Sequence, residues 1–421
     1  MSDKQRNNLI PKLRFPEFKD SGEWKEDSLI NIAKFRRGSF PQPYGLPEWY
    51  DDKNGMPFIQ VYDVDDNFRL KPTTKRKISK LGAKQSVFIK KGTVIITIQG
   101  SIGRVAITQY DAYIDRTLLL FQKFHNEIDK IFFAYILFLL FEIEKQKAPG
   151  GIIKTITKEV LSDFVLKIPS IPEQKKIASF LSNLDELIEA HKQKLALLKQ
   201  HKKGLMQNLF PQEGEKVPKW RFPEFRDSGE WEEKKLGEVA SFSKGKGISK
   251  SEITKNGKTP CIRYGELYTH YSETITNVFS YTDLDVKSLV LSEPNDVIIP
   301  SSGETQIDIA TASCILKKGI ALGGDINIIK TEMNGVFLSY YLNNAKKMDI
   351  ARIAQGISVV HLYSSQLKTL SINVPIPPEQ QNIASCLSSV DEIITAEGEM
   401  IEQLEKHKKG LMQNLFPPEI N

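Results

Sequence analysis

The chain has 421 residues, a formal net charge of +6 and three cysteines, Cys261, Cys314 and Cys386. A chain of this length corresponds to roughly two to four domains, and 40% hydrophobic with 26% charged residues is typical of a folded protein. Three scattered cysteines exclude a disulfide framework and suit a reducing, cytoplasmic compartment. The polar N-terminal sequence does not resemble a secretory signal, and the longest apolar run, 131–141, predicts a buried helix rather than a membrane span.

The first element along the chain is a segment that occurs twice. Residues 13–24 read LRFPEFKDSGEW and residues 220–231 read WRFPEFRDSGEW, identical at ten of twelve positions with an offset of 207. The similarity continues weakly, since Phe35 and Gly38 correspond to Phe242 and Gly245. We call these two segments the RFPEF segments.

A second pair of segments repeats as closely at an offset of 206. Residues 172–213 begin PEQKKIASFLSNLDE, residues 378–419 begin PEQQNIASCLSSVDE, and both contain HKKGLMQNLFP. The chain therefore consists of two half-repeats, each a variable region followed by a shared segment.

The two variable regions, about 25–165 and 232–371, differ in sequence but not in character. Both contain short β-rich runs, such as TVIITI at 93–98 and DVIIP at 296–300, and each ends in a helical stretch. We predict an α/β (α+β) fold, with each variable region a mixed α/β domain. The predicted boundaries are 1–165 and 214–371 for the variable domains and 166–213 and 372–421 for the helical regions.

Each shared segment predicts one long helix with an apolar seam. The seam positions alternate in steps of four and three residues over more than four heptads, the pattern of a coiled coil. They are Ile177, Leu181, Leu184, Ile188, His191, Leu195 and Leu198 in the first helix, and Ile383, Leu387, Val390, Ile394, Glu397, Ile401 and Leu404 in the second. The alternative is that each helix packs on a globular core instead of on the other helix.

Charge favours pairing of the two helices with each other. Residues 173–209 contain seven lysines and four acidic residues, whereas residues 379–415 contain three lysines and seven acidic residues. Opposite net charges favour the mixed pair over either self-pair. His191 lies at the midpoint of the first helix and Glu397 is its repeat mate, so an antiparallel pair with a pseudo-twofold axis predicts a contact between them. A helix of about 37 residues is about 55 Å long and would serve as a spacer with one variable domain at each end.

The sequence contains no convincing catalytic signature. Gly257-Lys258-Thr259 ends like a phosphate-binding loop, but Glu252 stands where that motif requires glycine. The two Pro-Pro pairs follow Ile376 and Phe416, not the Asn or Asp of an adenine-methyltransferase motif, and the six histidines lack metal-ligand spacing. We therefore expect a binding protein without catalytic or metal-ligating residues.

The ordered, duplicated arrangement of RFPEF segments, variable regions and seamed helices resembles the DNA specificity subunit of a type I restriction-modification system. The resemblance covers essentially the whole chain. It implies two target recognition domains that each read one half of a split, asymmetric site in double-stranded DNA, and a helix pair that sets the gap between the halves.

The same resemblance implies that this chain catalyses nothing and binds no cofactor itself. Its partners would be two modification (methyltransferase) subunits, which bring S-adenosylmethionine, and restriction (ATP-dependent translocase/endonuclease) subunits, which use ATP and Mg. No membrane association is implied.

Candidate DNA-binding residues are polar or basic side chains in loops next to the short strands, because base edges carry specificity while phosphates position the protein. In the first variable domain they are Arg36, Arg37, Gln60, Tyr62, Gln99, Ser101, Arg104 and Lys154. In the second they are Lys244, Lys246, Arg263, Tyr264, Ser301, Ser302, Thr305 and Gln355. For each, the competing interpretation is a solvated surface side chain.

Two other functions stay open at this point. A self-contained DNA methyltransferase or nuclease with fused readers would need a catalytic motif and would modify DNA as an isolated chain. A coiled-coil scaffold without a DNA role would show no salt-dependent DNA binding, whereas a protein that contacts phosphates loses affinity steeply as salt rises.

Overall fold

The computed structural model describes residues 9–147, 161–356 and 359–418, which fall into two compact units. Unit 1 consists of Met1–Lys192 and Met400–Asn421, and unit 2 consists of Gln193–Glu399. Each unit thus combines one variable region with part of each repeated helical segment.

Among the described residues, ten strands and four α-helices begin in unit 1, and the fourth helix continues into unit 2. The strands are β1 (Lys25–Ser28), β2 (Ala33–Arg37), β3 (Met56–Ile59), β4 (Arg76–Ile78), β5 (Val87–Ile89), β6 (Val94–Thr97), β7 (Val105–Ile107), β8 (Ala112–Ile114), β9 (Leu118–Phe124) and β10 (Val165–Ile168). The helices are α1 (Leu29–Ile32), α2 (Lys80–Ala83), α3 (Lys130–Lys147) and α4 (Ile171–Leu209). The sheets have the orders β2-β9-β6-β7, β4-β3-β8-β5 and β1-β10.

Unit 2 repeats this plan with additional short elements. Its strands are β11 (Glu232–Lys235), β12 (Ala240–Lys244), β13 (Ile253–Thr254), β14 (Thr259–Ile262), β15 (Thr274–Ile275), β16 (Ser280–Thr282), β17 (Val297–Pro300), β18 (Ser302–Gly303), β19 (Ser313–Ile315), β20 (Ala321–Leu322), β21 (Ile326–Thr331), β22 (Val360–His361) and β23 (Ser371–Val374). Its helices are α5 (Leu236–Val239), α6 (Tyr264–Thr269), α7 (Gln306–Ile309), α8 (Gly335–Asn344), α9 (Lys347–Ile353), α10 (Ser364–Lys368) and α11 (Pro377–Leu415). The sheets are β12-β21-β17-β19-β15, β13-β16-β14-β20, β11-β23 and β18-β22.

The mixed α/β fold predicted for both variable regions is confirmed. Their sheets combine antiparallel neighbours with parallel pairs, β3 with β8 in unit 1 and β14 with β20 in unit 2. The apolar run 131–141 lies in α3, where Phe132, Phe133 and Phe141 are fully buried in the core of unit 1.

The RFPEF segment of unit 1 is joined to the first turn of α4 by a buried ion pair. Arg14 Nε and Nη2 each donate to one carboxylate oxygen of Glu173 at 2.7 Å, and Nη1 donates to the Gly22 carbonyl at 2.6 Å. Trp24 Nε1 donates to the same carboxylate at 3.3 Å. The bidentate geometry and the extra donors satisfy a charge pair that is almost fully removed from solvent.

Unit 2 contains the same arrangement. Arg221 donates to both oxygens of Glu379 at 2.8 and 2.7 Å, and Trp231 Nε1 donates to that carboxylate at 3.2 Å. In each unit, therefore, the repeated residues of the RFPEF segment and of the PEQ sequence form a buried ion-pair cluster together.

Each unit also contains the C-terminal part of one long helix. In unit 1 the Leu13 amide donates to the Asn414 carbonyl at 2.9 Å, and in unit 2 the Trp220 amide donates to the Asn208 carbonyl at 2.8 Å. Phe416 lies in the core of unit 1 and Phe210 in the core of unit 2. The identical HKKGLMQNLFP sequences thus end in equivalent buried positions.

In unit 1 the segments of α4 and α11 run antiparallel. Lys192 Nζ lies 2.6 Å from Glu405 Oε1, and Lys408 Nζ donates to Asp185. As residue numbers rise along α4, those of the contacting residues fall along α11.

Unit 2 shows the same antiparallel direction. Lys194 Nζ lies 2.8 Å from Glu397 Oε2, and Lys202 Nζ lies 2.8 Å from Asp391 Oδ1. His191 belongs to unit 1 and Glu397 to unit 2, so the predicted contact between them stays a prediction.

In each unit a tyrosine of the variable domain donates a hydrogen bond to the aspartate that pairs with a lysine of the other long helix. The Tyr135 hydroxyl of α3 donates to Asp185, and Lys408 Nζ lies 5.7 Å from the Tyr135 ring centroid. In unit 2 the Tyr340 hydroxyl of α8 donates to Asp391, and Lys202 Nζ lies 5.3 Å from the Tyr340 ring centroid. We call each set the Asp–Lys–Tyr cluster.

The seam residues share one property: all fourteen are buried or half-buried. By contrast, Leu187 and Ile393, which lie outside the seam, are 45% and 48% exposed. The seam therefore marks the inward face of each helix, and the outward face also carries some apolar side chains, which are exposed.

Arg221→Met should destabilise the protein by about 3–5 kcal/mol, because it leaves the Glu379 carboxylate buried without its partner. The measurement is the free energy of unfolding of the full chain from urea titrations followed by circular dichroism. Lys216→Met is the matched control: Lys216 pairs with Glu230 at 3.9 Å with side chains 49% and 68% exposed, and such pairs contribute about 0–1 kcal/mol. Equal effects of the two variants would contradict the prediction.

The Asp–Lys–Tyr cluster of unit 2 should make stability fall at alkaline pH. Burial and the Asp391 acceptor raise the pKa of Tyr340. Burial lowers the pKa of Lys202, but the Glu273 and Asp391 carboxylates outweigh it, and the net pKa is raised. Because both protons are held more tightly in the folded state, their stabilisation is complete below the unfolded pKa of about 10 and is lost as pH rises above it.

Thermal unfolding of Tyr340→Phe between roughly pH 8 and 11 tests this linkage. The variant should be less stable than the wild type at neutral pH and should lose less stability on the alkaline side. Tyr281→Phe, in β16 and outside the cluster, should retain the wild-type slope. An unchanged slope in Tyr340→Phe would show that the cluster does not control alkaline unfolding.

Candidate nucleic-acid interface

The candidate interface of unit 1 lies where β2, β3 and β8 end. The Asp115 amide, just after β8, donates to the Ile59 carbonyl at 3.0 Å, and the Gly38 amide, just after β2, donates to the Leu118 carbonyl at 3.0 Å. Residues 37–39, 60–63 and 115–116 therefore form one edge, which we call the strand-end edge. It brings together the predicted residues Arg37, Gln60 and Tyr62.

Unit 2 forms the equivalent strand-end edge from residues 244–246, 263–266 and 323–324. The Gly323 amide donates to the Ile262 carbonyl at 2.9 Å, and the Gly245 amide donates to the Ile326 carbonyl at 3.0 Å. The predicted residues Lys244, Lys246, Arg263 and Tyr264 all lie on it.

Both edges depend on a glycine at the close approach of two backbones. A Cβ atom at Gly38 would lie 2.3 Å from the Asp115 carbonyl oxygen, and one at Gly245 would lie 2.0 Å from that of Gly323. No other residue fits at these distances. The weak Phe35–Gly38 and Phe242–Gly245 correspondence thus marks a feature of the frame that both units need.

Side chains of the unit 1 edge are already engaged with one another. Gln60 is 9% exposed. Its side-chain oxygen accepts a hydrogen bond from the Tyr62 hydroxyl, and its backbone amide donates to the Asp63 carboxylate at 2.8 Å. Burial raises the pKa of Tyr62 to about 12, so its hydroxyl remains a neutral donor at physiological pH. Burial also raises the pKa of Asp63. Arg36 and Arg37 are exposed at the end of β2.

The β6–β7 turn contains the predicted residues Gln99, Ser101 and Arg104. Arg104 Nε forms an ion pair with Asp66 Oδ1 at 2.8 Å. Ser101 and Arg104 line a cavity of about 500 Å³ together with Asp65, Asp66, Glu142 and Lys145. The carboxylates in this lining reduce the attraction of Arg104 for phosphate. Lys154 lies outside the described residues.

In unit 2 the residues after β17 meet at the β18–β22 pair. Ser302 Oγ lies 3.2 Å from His361 Nδ1 and donates to Asp325 at 3.3 Å, while Gln355 and His361 exchange backbone hydrogen bonds at 2.9 and 2.7 Å. Ser301 is buried, and Thr305 caps α7 by accepting from the Asp308 amide at 3.1 Å. Thr305 thus has a capping role, and the DNA contacts expected of Ser301 and Thr305 stay predictions. Ser302 and Gln355 flank His361, which sequence reasoning did not select as a DNA-binding residue.

Sequence reasoning also missed a group of cations stacked on tyrosines at unit 1. The Arg116 guanidinium lies 5.3 Å from the Tyr44 ring centroid, Arg76 lies 3.7 Å from that of Tyr50, and Lys75 Nζ lies 4.9 Å from that of Tyr62. Arg116 lies between β8 and β9, two residues from each, and its position between two short strands is the sequence signal that could have identified it.

Comparison with known proteins assigns the family. Residues 22–200 and 228–406 each match the family model described as the type I restriction modification DNA specificity domain. These two matches cover most of the chain, so the chain belongs to this family. The resemblance inferred from the repeated motifs is confirmed, as is a role in DNA sequence recognition. A fused enzyme and a scaffold without a DNA role are not favoured.

Relatives of known sequence support the assignment over the full length. The chain is 26% identical to the putative type I restriction enzyme MjaX specificity subunit of Methanocaldococcus jannaschii, over 93% of this chain and 96% of the relative. It is 24% identical to the MjaVIII specificity subunit of the same organism, over 97% and 94%. At the level of the family, a non-catalytic role fits these relatives.

Solved structures show the same fold. The S subunit of a type I restriction-modification system from M. genitalium matches with a TM-score of 0.61 and 16% identity, over 98% of this chain and 100% of that chain. A chain from a structure of complex assembly and conformational transition of the type I R-M system matches with a TM-score of 0.56 and 15% identity, over 94% and 98%.

Two features are absent from the described ranges. No helix there is both long and apolar enough to cross a bilayer. In the same part of the chain, no group of three or more His, Cys, Asp and Glu side chains has a metal-binding arrangement.

Replacing Lys244 and Lys246 together with alanine should weaken DNA binding and flatten its salt dependence. Each lost phosphate contact lowers the slope of log affinity against log salt by about 0.9, so two contacts predict a decrease of roughly two. The measurement is the affinity of the full chain for duplex DNA by fluorescence anisotropy at several salt concentrations.

The matched control replaces Lys317 and Lys318, an exposed pair between β19 and β20. This double variant removes the same two positive charges, but from the loop that precedes β20, whereas the strand-end edge includes the residues that follow β20. If both double variants changed the slope equally, the effect would arise from net charge and not from the strand-end edge.

Proposed function

We propose that this chain is the adaptor that selects the DNA target of a type I restriction-modification complex. Each variable domain reads one half of a split, asymmetric site. The observation that supports this is the pair of equivalent strand-end edges with different side chains: Gln60 in unit 1 corresponds to Arg263 in unit 2, and Ser39 corresponds to Lys246. Two readers on one frame with different surface chemistry suit two unlike half-sites.

We further propose that the two long helices form one antiparallel coiled coil related by a pseudo-twofold axis. Its support is the exchange of partners between repeats: Asp185 and Lys202 of α4 correspond to Asp391 and Lys408 of α11 at an offset of 206, and each aspartate contacts the lysine of the other helix. In this proposal the coiled coil sets the spacing of the half-sites. The helical regions 166–213 and 372–421 then separate the variable domains 1–165 and 214–371.

The partners proposed for the chain are two modification subunits and the restriction subunits of the complex. A repeated chain offers equivalent surfaces to two copies of one partner, and Leu187 and Ile393, repeat mates at an offset of 206, are both exposed. S-adenosylmethionine, ATP and Mg would be bound by those partners, and this chain would contribute no catalytic residue. The proposed compartment is the cytoplasm.

A map of N6-methyladenine across the genome tests the adaptor function. Cells that carry this chain and its modification subunits should methylate a split, asymmetric motif. Cells with the modification subunits alone are the control and should lack it. Absence of a new motif although both proteins are expressed and copurify would contradict the proposed function.

A further inference from the structure

The two strand-end edges differ most at one position after the parallel strand pair. Ile59 pairs with Ile114 in unit 1, and Ile262 pairs with Leu322 in unit 2. Asp115 therefore corresponds to Gly323 and Arg116 to Gly324. Unit 1 has an arginine where unit 2 has no side chain.

Arg116 is held by aromatic contact and has unused hydrogen-bonding capacity. Its guanidinium carbon lies 5.3 Å from the Tyr44 ring centroid, and the side chain is exposed. Among the described residues, none forms a hydrogen bond or ion pair with the Arg116 side chain. A guanidinium carries five N–H donors in a planar fork, so these donors are free to bind a ligand.

Tyr44 itself belongs to a packed aromatic cluster. Its ring centroid lies 4.3 Å from that of Phe40, which lies 6.2 Å from Tyr50 and 5.8 Å from Phe58. Phe40 and Phe58 are buried. The Tyr44 ring is 59% exposed but packs on the buried Phe40, and the cation–π contact with this ring limits the positions that the guanidinium can take.

The charge around Arg116 favours a base edge over a phosphate as its ligand. Asp63 and Asp115 are 1% and 2% exposed at the same edge. The pKa of the neighbouring Tyr62 hydroxyl is raised by burial first and by these two carboxylates second, whereas Arg76 lowers it. Buried carboxylates repel a phosphate. A guanine edge offers two acceptors, O6 and N7, that match the guanidinium fork without adding negative charge.

We propose that Arg116 reads a guanine in the major groove within the half-site of unit 1, and that Tyr44 is the positioning residue for its guanidinium. This inference rests on the proposed function. Because Gly324 offers no side chain at the equivalent position, the second domain reads its half-site through other residues, Arg263 among them.

The test uses the complex of the full chain with its modification subunits and a DNA library randomised in both half-sites. Arg116→Ala should relax one guanine preference by roughly 5- to 150-fold, in one half-site only. Arg116→Lys should relax it too, because an ammonium cannot form the bidentate pair. Tyr44→Phe should retain the preference, whereas Tyr44→Ala should weaken it.

Two control variants show whether the loss of guanine preference is specific to Arg116 and in which half-site it occurs. Arg69→Ala removes an exposed arginine of unit 1 that pairs with Glu186 at 3.9 Å, and it should leave both half-sites unchanged. Arg263→Ala identifies the half-site of unit 2, which Arg116→Ala should leave intact.

Three results would overturn the inference. Uniform weakening by Arg116→Ala, with a salt slope reduced by about one, would identify a phosphate contact. An unchanged guanine preference would show that Arg116 reads no base. A change by Arg116→Ala in the same half-site that Arg263→Ala affects would show that Arg116 does not act in the half-site of unit 1. A wild-type complex that selects no split motif would instead overturn the proposed function, and this inference with it.

Discussion

The Asp–Lys–Tyr cluster is the interaction on which the packing of helices and variable domain within each unit depends. Asp185 and Lys408 come from different long helices, and Tyr135 comes from the variable domain, so one cluster joins three segments. The lysine and aspartate are each about one fifth exposed, where charges attract more strongly than in water. An unpaired charge at this depth is costly, so the cluster penalises any other register of the two helices.

Residues that repeat between the two halves of the chain and residues that differ between them have separate physical roles. The repeated residues form buried contacts, of which the Arg14–Glu173 and Arg221–Glu379 pairs are the clearest. The strand-end edges retain the glycines at which backbones meet, Gly38 and Gly245. Other edge positions differ, as Gln60 does from Arg263, although Asp63 and Glu266 accept equivalent backbone hydrogen bonds. A frame held by buried pairs tolerates such changes because the edge side chains contribute little to the core.

Sequence reasoning identified the frame well and the interface incompletely. Repetition revealed the RFPEF segments and the seamed helices, since buried pairs and heptads leave regular spacing in a sequence. It could not foresee that Arg104 pairs with Asp66 or that Thr305 caps a helix, because both roles depend on neighbours that the fold supplies. It missed Arg116, whose ring partner Tyr44 lies 72 residues away in sequence, and it did not select His361, whose partner Ser302 lies 59 residues away.

The sequence by itself determined the two half-repeats, the long helices, the mixed α/β class and the family, because each is encoded in local periodicity or in literal repetition. Only the tertiary structure decided which parts of the chain form each unit. It assigned the end of α11 to the core of the first variable domain and the end of α4 to that of the second. It also decided which polar side chains share an edge. These outcomes depend on long-range packing and strand pairing, which no local pattern encodes.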